Sequence, residues 1–369
     1  MPKTSWMRRG RRAFIVLAVL AGAVTGIAPS SSAATQQPVD TRSMPDPGVY
    51  LWNGTFYAFT TGGFGLWEST AAIASGPWTA PTDVLNHSGI PAWVDQSQGI
   101  WAPDVIRLPD GEWVVYFAAV LNAGSGSGPE TPAPGARCIG AATSSSPAGP
   151  FTMQASPEVC LPGYGAADDM TADPGNRVLG EGVIDADPVF IDNSWDNNTN
   201  ELFLLYKTQS GTGQATIRMV RLNLNDGTSV LGTSHQLLAA VPTGPNGTYE
   251  FSDTIEAPSL LALSDGWFVL FVAHGNYDSC NYSTEYYVSQ HPWSWNQTPV
   301  ATVLSQGQDG LCGPGTADVA DSEVSGQYRL FFNAYTSGTA GTTRELYADV
   351  VTIGSDGYTP SLSPLAPAS

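Results

Sequence analysis

Five times along the chain an acidic or polar motif runs straight into a short strand pattern, and a second strand pattern follows. The copies begin at Pro45-Asp46-Pro47-Gly48-Val49, Trp101-Ala102-Pro103-Asp104-Val105, Ile184-Asp185-Ala186-Asp187-Pro188, Ile255-Glu256-Ala257-Pro258-Ser259 and Gly315-Thr316-Ala317-Asp318-Val319. Each leads into a β-rich run, at 52–60, 112–120, 201–208, 266–273 and 326–335. Repetition on this scale is the mark of a radial repeat. Asp-Gly, Asn-Gly and Ser-Gly pairs punctuate the runs, as in Leu51-Trp52-Asn53-Gly54-Thr55, and predict hairpins between successive strands. Amphipathic helical periodicity is nearly absent. Five units of about four strands predict an all-β, five-bladed β-propeller forming a single domain from residue 45 to 369. A sandwich or jelly roll would not explain why the acidic motif recurs once per unit.

The first 33 residues are read as a secretory signal peptide. Lys3, Arg8, Arg9, Arg11 and Arg12 precede an apolar stretch from Ala13 to Ala28 and small residues at Ser31-Ser32-Ala33. Arg11-Arg12-Ala13-Phe14-Ile15 also resembles a twin-arginine signal, leaving the export route open. Residues 34–44 read as a polar leader. The signal holds five of the 14 basic residues and none of the 33 acidic ones, so the remainder carries 9 − 33 = −24. A surface this acidic repels nucleic acid and anionic membranes. No nucleic-acid or membrane partner is expected, and a secreted, extracellular monomer acting on a neutral substrate is.

Cys138, Cys160, Cys280 and Cys312 in an exported chain suggest two disulfides. Three pairings are possible; Cys138–Cys160 and Cys280–Cys312 are favoured because each ties one local loop. The Gly-, Ser- and Pro-rich segments 122–137 and 162–177 are expected to be long loops on one face of the domain.

In a propeller the innermost strand of each blade lines a central channel. Asp46, Asp185 or Asp187, and Glu256 would then meet in one cavity from three blades. Carboxylates gathered without Lys or Arg partners push one another's pKa values apart, so one stays protonated while another ionises. Glycoside hydrolysis requires this pairing: one acid for the leaving oxygen and one base for water. Sugars also stack their C–H faces on aromatic rings. Trp101 is the leading platform candidate, with Trp93, Phe64 and Tyr277 as others; Asp104 is a candidate for the same pocket. Asp318 and Asp321 are expected to be structural. A sialidase-type propeller needs an arginine cluster, and the eight arginines after the signal form no cluster with the acidic motifs.

Pro45-Asp46-Pro47, Trp101-Ala102-Pro103-Asp104, Val183-Ile184-Asp185 with Phe190-Ile191-Asp192, Glu256-Ala257-Pro258 and Gly313-Pro314-Gly315 together resemble glycoside hydrolase family 43, over about residues 44–351. That family contains arabinanases, α-L-arabinofuranosidases and β-xylosidases. The resemblance implies an inverting glycosidase of plant cell-wall polysaccharides. In it Asp46 matches the general base, Glu256 the general acid, and Asp185 the carboxylate that orients the acid and tunes its pKa. The spacing from Asp185 to Phe190 is one residue longer than usual, which leaves Asp187 as the fallback. Many relatives carry a His after Gly-Pro-Gly that helps hold a cation on the channel axis. Thr316 stands there instead, so no His-bound metal and no required cofactor is expected; Ca²⁺ held by carboxylates and water stays open. A carbohydrate-binding propeller without catalysis is the alternative reading.

Overall fold

The computed structural model describes residues 35–122, 135–160, 167–168, 182–193, 199–209, 213–335, 340–341 and 343–368. The expected signal peptide and most of both predicted long loops lie outside these residues.

β1 (Asp40–Ser43) comes first and belongs to the last blade. Blade one is β2 (Gly48–Trp52), β3 (Thr55–Thr60), β4 (Trp67–Ala71) and β5 (Thr82–Asp83). Blade two holds β6 (Trp101–Arg107), β7 (Trp113–Val120), β8 (Arg137–Ser144), β9 (Thr152–Met153), β10 (Val159–Cys160) and β11 (Ala167–Asp168). Blade three holds β12 (Ile184–Asn193), β13 (Thr199–Gln209), β14 (Ala215–Leu222) and β15 (Val230–Ala239). Blade four holds β16 (Ile255–Ala262), β17 (Phe268–His274), β18 (Ser283–Ser289) and β19 (Ala301–Leu304). Blade five holds β20 (Cys312–Asp321), β21 (Tyr328–Tyr335), β22 (Glu345–Ile353) and β23 (Pro360–Pro364). The inner strands of each blade form an antiparallel meander counted outward from the axis, and at the outer edge of blade two β9 and β10 both pair with β8 while β11 pairs with β10 in parallel. The innermost strands touch in the cycle β2–β6–β12–β16–β20–β2, which closes the five-bladed ring.

The expected polar leader is corrected in part. Asp40–Ser43 pairs with Leu346 and Glu345 on β22, beside the place where β23 pairs with the rest of that strand. Both ends of the described chain thus complete one sheet. The short polar run Asp-Thr-Arg-Ser shows no strand alternation, because it lies at a sheet edge with its middle residues partly exposed.

Five apolar clusters fill the five gaps between blades. On β7, Trp113, Val115, Phe117 and Ala119 face blade one, while Val114 and Tyr116 face blade three. Every β7 residue is buried. A strand covered on both faces reads as one continuous apolar run rather than an alternating one. The remaining gaps hold Phe203, Leu205, Leu270 and Val272, Leu261, Phe271, Leu330 and Phe332, and Val49, Phe56, Phe331 and Leu346. The predicted hairpin at Asn53-Gly54 is a two-residue turn with both residues at positive φ (48° and 76°), the geometry that suits strand twist. Both favoured disulfides, Cys138–Cys160 and Cys280–Cys312, are present.

Candidate active site

The five blade-start motifs share a backbone device. Asp46, Ala102, Asp185, Ala257 and Thr316 all lie at positive φ (52°, 40°, 59°, 48° and 49°). Blades two to five show a register shift at this point: Trp101/Asp104, Ile184/Asp187, Glu256/Ser259 and Gly315/Asp318. A left-handed L-residue costs of order 1 kcal/mol. Bulges of this kind turn side chains out of the regular pleat beside functional sites. Here the device sends the motif side chains toward the axis at two depths.

The upper layer lines a cavity of about 200 Å³ bounded by Asp46, Thr61, Trp101, Ile184, Asp185, Glu256, Tyr277, Thr316 and Arg344. The structure therefore brings together Asp46, Asp185, Glu256 and Trp101, from four blades. Trp101 is 38% exposed and lies under the Arg137 guanidinium, 3.5 Å from its ring centroid. Arg137 is itself held by the carbonyls of Gly99 and Ala118 (2.7 and 3.3 Å). Tyr277 is also exposed, with Arg344 5.5 Å from its ring. Trp93 is not a platform: it is buried, stacked on Phe117 in the gap between blades one and two. Phe64 packs on the margin of that same cluster and does not line the cavity.

Each carboxylate has its own surroundings. Asp46 accepts from Arg344 Nη1 (2.6 Å) and Nη2 (3.2 Å) and from the Thr61 hydroxyl (2.6 Å). Its N–H donates to Asn333 Oδ1 (2.6 Å), which also receives the Thr316 hydroxyl (2.9 Å). Glu256 accepts from Lys207 Nζ at Oε2 (3.1 Å) and from the Tyr282 hydroxyl at Oε1 (2.8 Å). Asp185 Oδ2 accepts from the Ala257 N–H (3.0 Å), which ties it to the residue after Glu256. Burial, then the charge of Glu256, pushes Asp185 up to about 8, with Lys207 pulling the other way. Burial and then Glu256 also raise the Tyr282 hydroxyl.

The expectation of carboxylates without basic partners is thus corrected. Arg344 precedes β22 in blade five and Lys207 lies on β13, so neither is near the motif it serves in sequence. Lys207 had one visible signal: it is the only lysine after Lys3. Tyr282 explains the Gly313-Pro314-Gly315 motif. A Cβ on Gly315 would lie 2.2 Å from the Tyr282 ring, and one on Gly313 2.6 Å from the Ser279 carbonyl oxygen.

The lower layer is an acidic ring, joined to the upper one by a channel that Asp46, Asp185, Asp104 and Asp318 all line. Asp104, Asp187 and Asp318 present carboxylate oxygens within 4.8 Å of one another. Asp104, expected beside Trp101 on the sugar, sits in this ring, and so does the fallback Asp187. Gly48 leaves the space that Asp104 occupies: a Cβ there would lie 2.6 Å from its Oδ1. Asp318 accepts from the Val49 N–H (2.6 Å) and the Ser259 hydroxyl (3.0 Å), and Asp187 from the Leu260 N–H (3.1 Å). Burial first, then mutual repulsion, raises Asp104 and Asp187 well above the carboxylate range, and burial pushes Asp318 up to about 6. Three hard oxygen donors suit a cation such as Ca²⁺, with water supplying the rest of its shell, though the hydrogen bonds already occupy part of that capacity.

The fold recurs among solved structures. A thermostable family-43 glycoside hydrolase superimposes with a TM-score of 0.67 at 18% identity, over 91% of this chain and 98% of its own. An endo-1,4-beta-xylanase from Bacteroides thetaiotaomicron gives 0.62 at 20% identity, over 90% and 97%. An alpha-L-arabinanase from Cellvibrio cellulosa, complexed with arabinohexaose, gives 0.62 at 16% identity, over 89% and 96%. No curated protein matches the chain. The family model "Glycosyl hydrolases family 43" matches residues 35–359, from the start of the described chain almost to its last strand. By that match the chain belongs to glycosyl hydrolases family 43, and it is a glycosidase that hydrolyses O-glycosyl bonds.

Proposed function

We propose that this glycosidase is secreted and cleaves arabinofuranosyl or xylosyl linkages in plant cell-wall polysaccharides such as arabinan or arabinoxylan, with inversion at the anomeric carbon. The observation that carries the reading is the meeting of Asp46, Asp185 and Glu256 around one cavity walled by Trp101 and Tyr277. In this reading the sugar ring rests against Trp101, whose indole Arg137 holds in place from one face. Asp46 is the general base. Arg344 and Thr61 hold both of its oxygens and aim it, and it takes a proton from the attacking water. Glu256 is the general acid that protonates the departing sugar oxygen. Asp185 grips the backbone beside it and adds a neighbouring charge-sensitive group. Asp46 is held by Arg344 and Thr61 on one side of the cavity and Glu256 by Lys207 and Tyr282 on the other, and such different surroundings are how acid and base roles separate.

The substrate class is supported by the arabinanase and xylanase neighbours and by an acidic protein surface suited to neutral polymers. Secretion is supported by the basic and apolar pattern of the first 33 residues. The test is a panel of aryl arabinofuranosides and xylosides beside linear arabinan, branched arabinan and arabinoxylan. Asp46→Ala and Glu256→Ala should abolish release of pentose products from the polysaccharides while circular dichroism stays native. Near-normal turnover by either folded variant, or no release from any member of the panel by the wild type, would overturn the reading.

A further inference from the structure

Lys207 is the only lysine after Lys3, in a chain with 33 acidic residues. It is not on the surface: it is 0% exposed, with Nζ 3.1 Å from Glu256 Oε2. By strand alternation it shares a face of β13 with Phe203 and Leu205, which belong to the apolar cluster between blades three and four. An aliphatic side chain is the ordinary occupant of such a place. Burying an ammonium is costly unless it is paired, and exchanging a buried ion pair for apolar residues is often neutral or stabilising. Packing alone therefore gives no reason for a lysine here.

The groups facing Glu256 come from every neighbouring element. Lys207 approaches from β13 and Tyr282 from the loop before β18. Asp185 stands at the top of β12, tied to the Ala257 N–H. Asp46 and Arg344 lie across the cavity as a bonded pair. His274, opposite Ile255 on β17, is engaged with Glu285 at 3.2 Å. Among the described residues, the cavity's carboxylates pair with two cations, Asp46 with Arg344 and Glu256 with Lys207.

Resting on the reading of Glu256 as general acid, we infer that Lys207 is a positioning residue of the reaction: it anchors the acid's carboxyl against β13, and its charge sets the upper pH at which that carboxyl still has a proton to give. A positive charge at this distance favours the ionised carboxylate. The lysine thus trades proton availability at high pH for a fixed donor geometry.

The test is the pH profile of kcat/KM for Lys207→Met, which keeps length and removes charge. The alkaline limb should move up by about one pH unit or more, and kcat should fall at the optimum. Lys207→Arg keeps the charge and should keep the limb near its wild-type position. A lysine that only supports the fold would lower activity equally at all pH and leave the limb in place. If Lys207→Met does not fold, mature enzyme labelled with ¹³Cε-lysine gives one resonance, from Lys207, the only lysine after Lys3. Glu256→Gln should then shift that signal. An unmoved limb, or a Lys207 signal indifferent to Glu256→Gln, overturns the inference. Near-normal turnover in Glu256→Gln would instead sink the general-acid role, and Lys207's part in it; an inactive Glu256→Gln beside an unmoved limb sinks the role of Lys207 alone.

Discussion

Gly315 should be the position where one added methyl group disables the site from behind. Its φ is not in the left-handed region, so alanine meets no backbone penalty there. The obstacle is contact: the new Cβ would lie 2.2 Å from Cε1 and 2.3 Å from Cδ1 of Tyr282. Ordinary carbon contacts are ~3.5–4 Å, so the ring must retreat by about 1 Å or more. Its hydroxyl donates to Glu256 Oε1 at 2.8 Å, and such a retreat carries it past hydrogen-bond reach. Overpacking of this kind costs about 1–3 kcal/mol, and a hydrogen bond to a charged group is worth about 1.5–3 kcal/mol. Gly315→Ala should therefore lower the urea midpoint and reduce kcat/KM by about 10- to 100-fold. Tyr282→Phe, which deletes the hydroxyl and keeps the ring, should reproduce most of the kinetic loss with less loss of stability. Wild-type kinetics and stability in Gly315→Ala would refute the argument that the ring is wedged between this glycine and the acid.

Three further outcomes follow. Burial pushes Glu68 up to about 7 and Glu158 up to about 8, each above its unfolded value. A raised acid binds protons in the folded state, so its stability contribution is full below about pH 4.5 and is lost as pH rises through 7 to 8. Chemical denaturation at pH 5 and pH 8 should show lower stability at pH 8, and Glu68→Gln should recover about 2 kcal/mol of that difference; an unchanged slope counts against it. Trp101→Ala should raise KM for oligosaccharides about tenfold or more with a smaller effect on kcat; Michaelis–Menten analysis of a linear oligosaccharide series checks this, and an unchanged KM contradicts the platform. Arg344→Met, which leaves Asp46 with Thr61 alone, should cut kcat by at least about 100-fold while near-native far-UV circular dichroism persists; a mild loss would mean that Asp46 does not depend on the arginine for its aim.

The sequence disclosed the ring because each blade repeats one motif at its inner strand, and the physical basis of that motif is the left-handed residue at the top of the strand. The repeat also brought Asp46, Asp185 and Glu256 into one cavity. It did so despite an offset: Asp46 and Asp185 occupy the left-handed position, whereas Glu256 comes one residue before it. That offset is invisible in letters and decides which side chain leaves the pleat. The two depths of the channel were equally hidden. Asp185 and Asp187 are two residues apart, yet one lines the cavity and the other joins the lower acidic ring. Arg344 and Lys207 were not legible as partners because each reaches its carboxylate across the fold, 298 and 49 residues away. β1 escaped notice because an edge strand needs no apolar pattern.

The division of labour between Asp46 and Glu256 is tested most directly by leaving-group dependence. Glu256→Gln should lose activity on natural linkages and on glycosides with poor leaving groups, yet retain much of it on a dinitrophenyl glycoside, which departs without a proton. Asp46→Asn should be inactive on all of them, because water still needs its base. Equal losses across leaving groups in Glu256→Gln, or an active Asp46→Asn, would contradict the account.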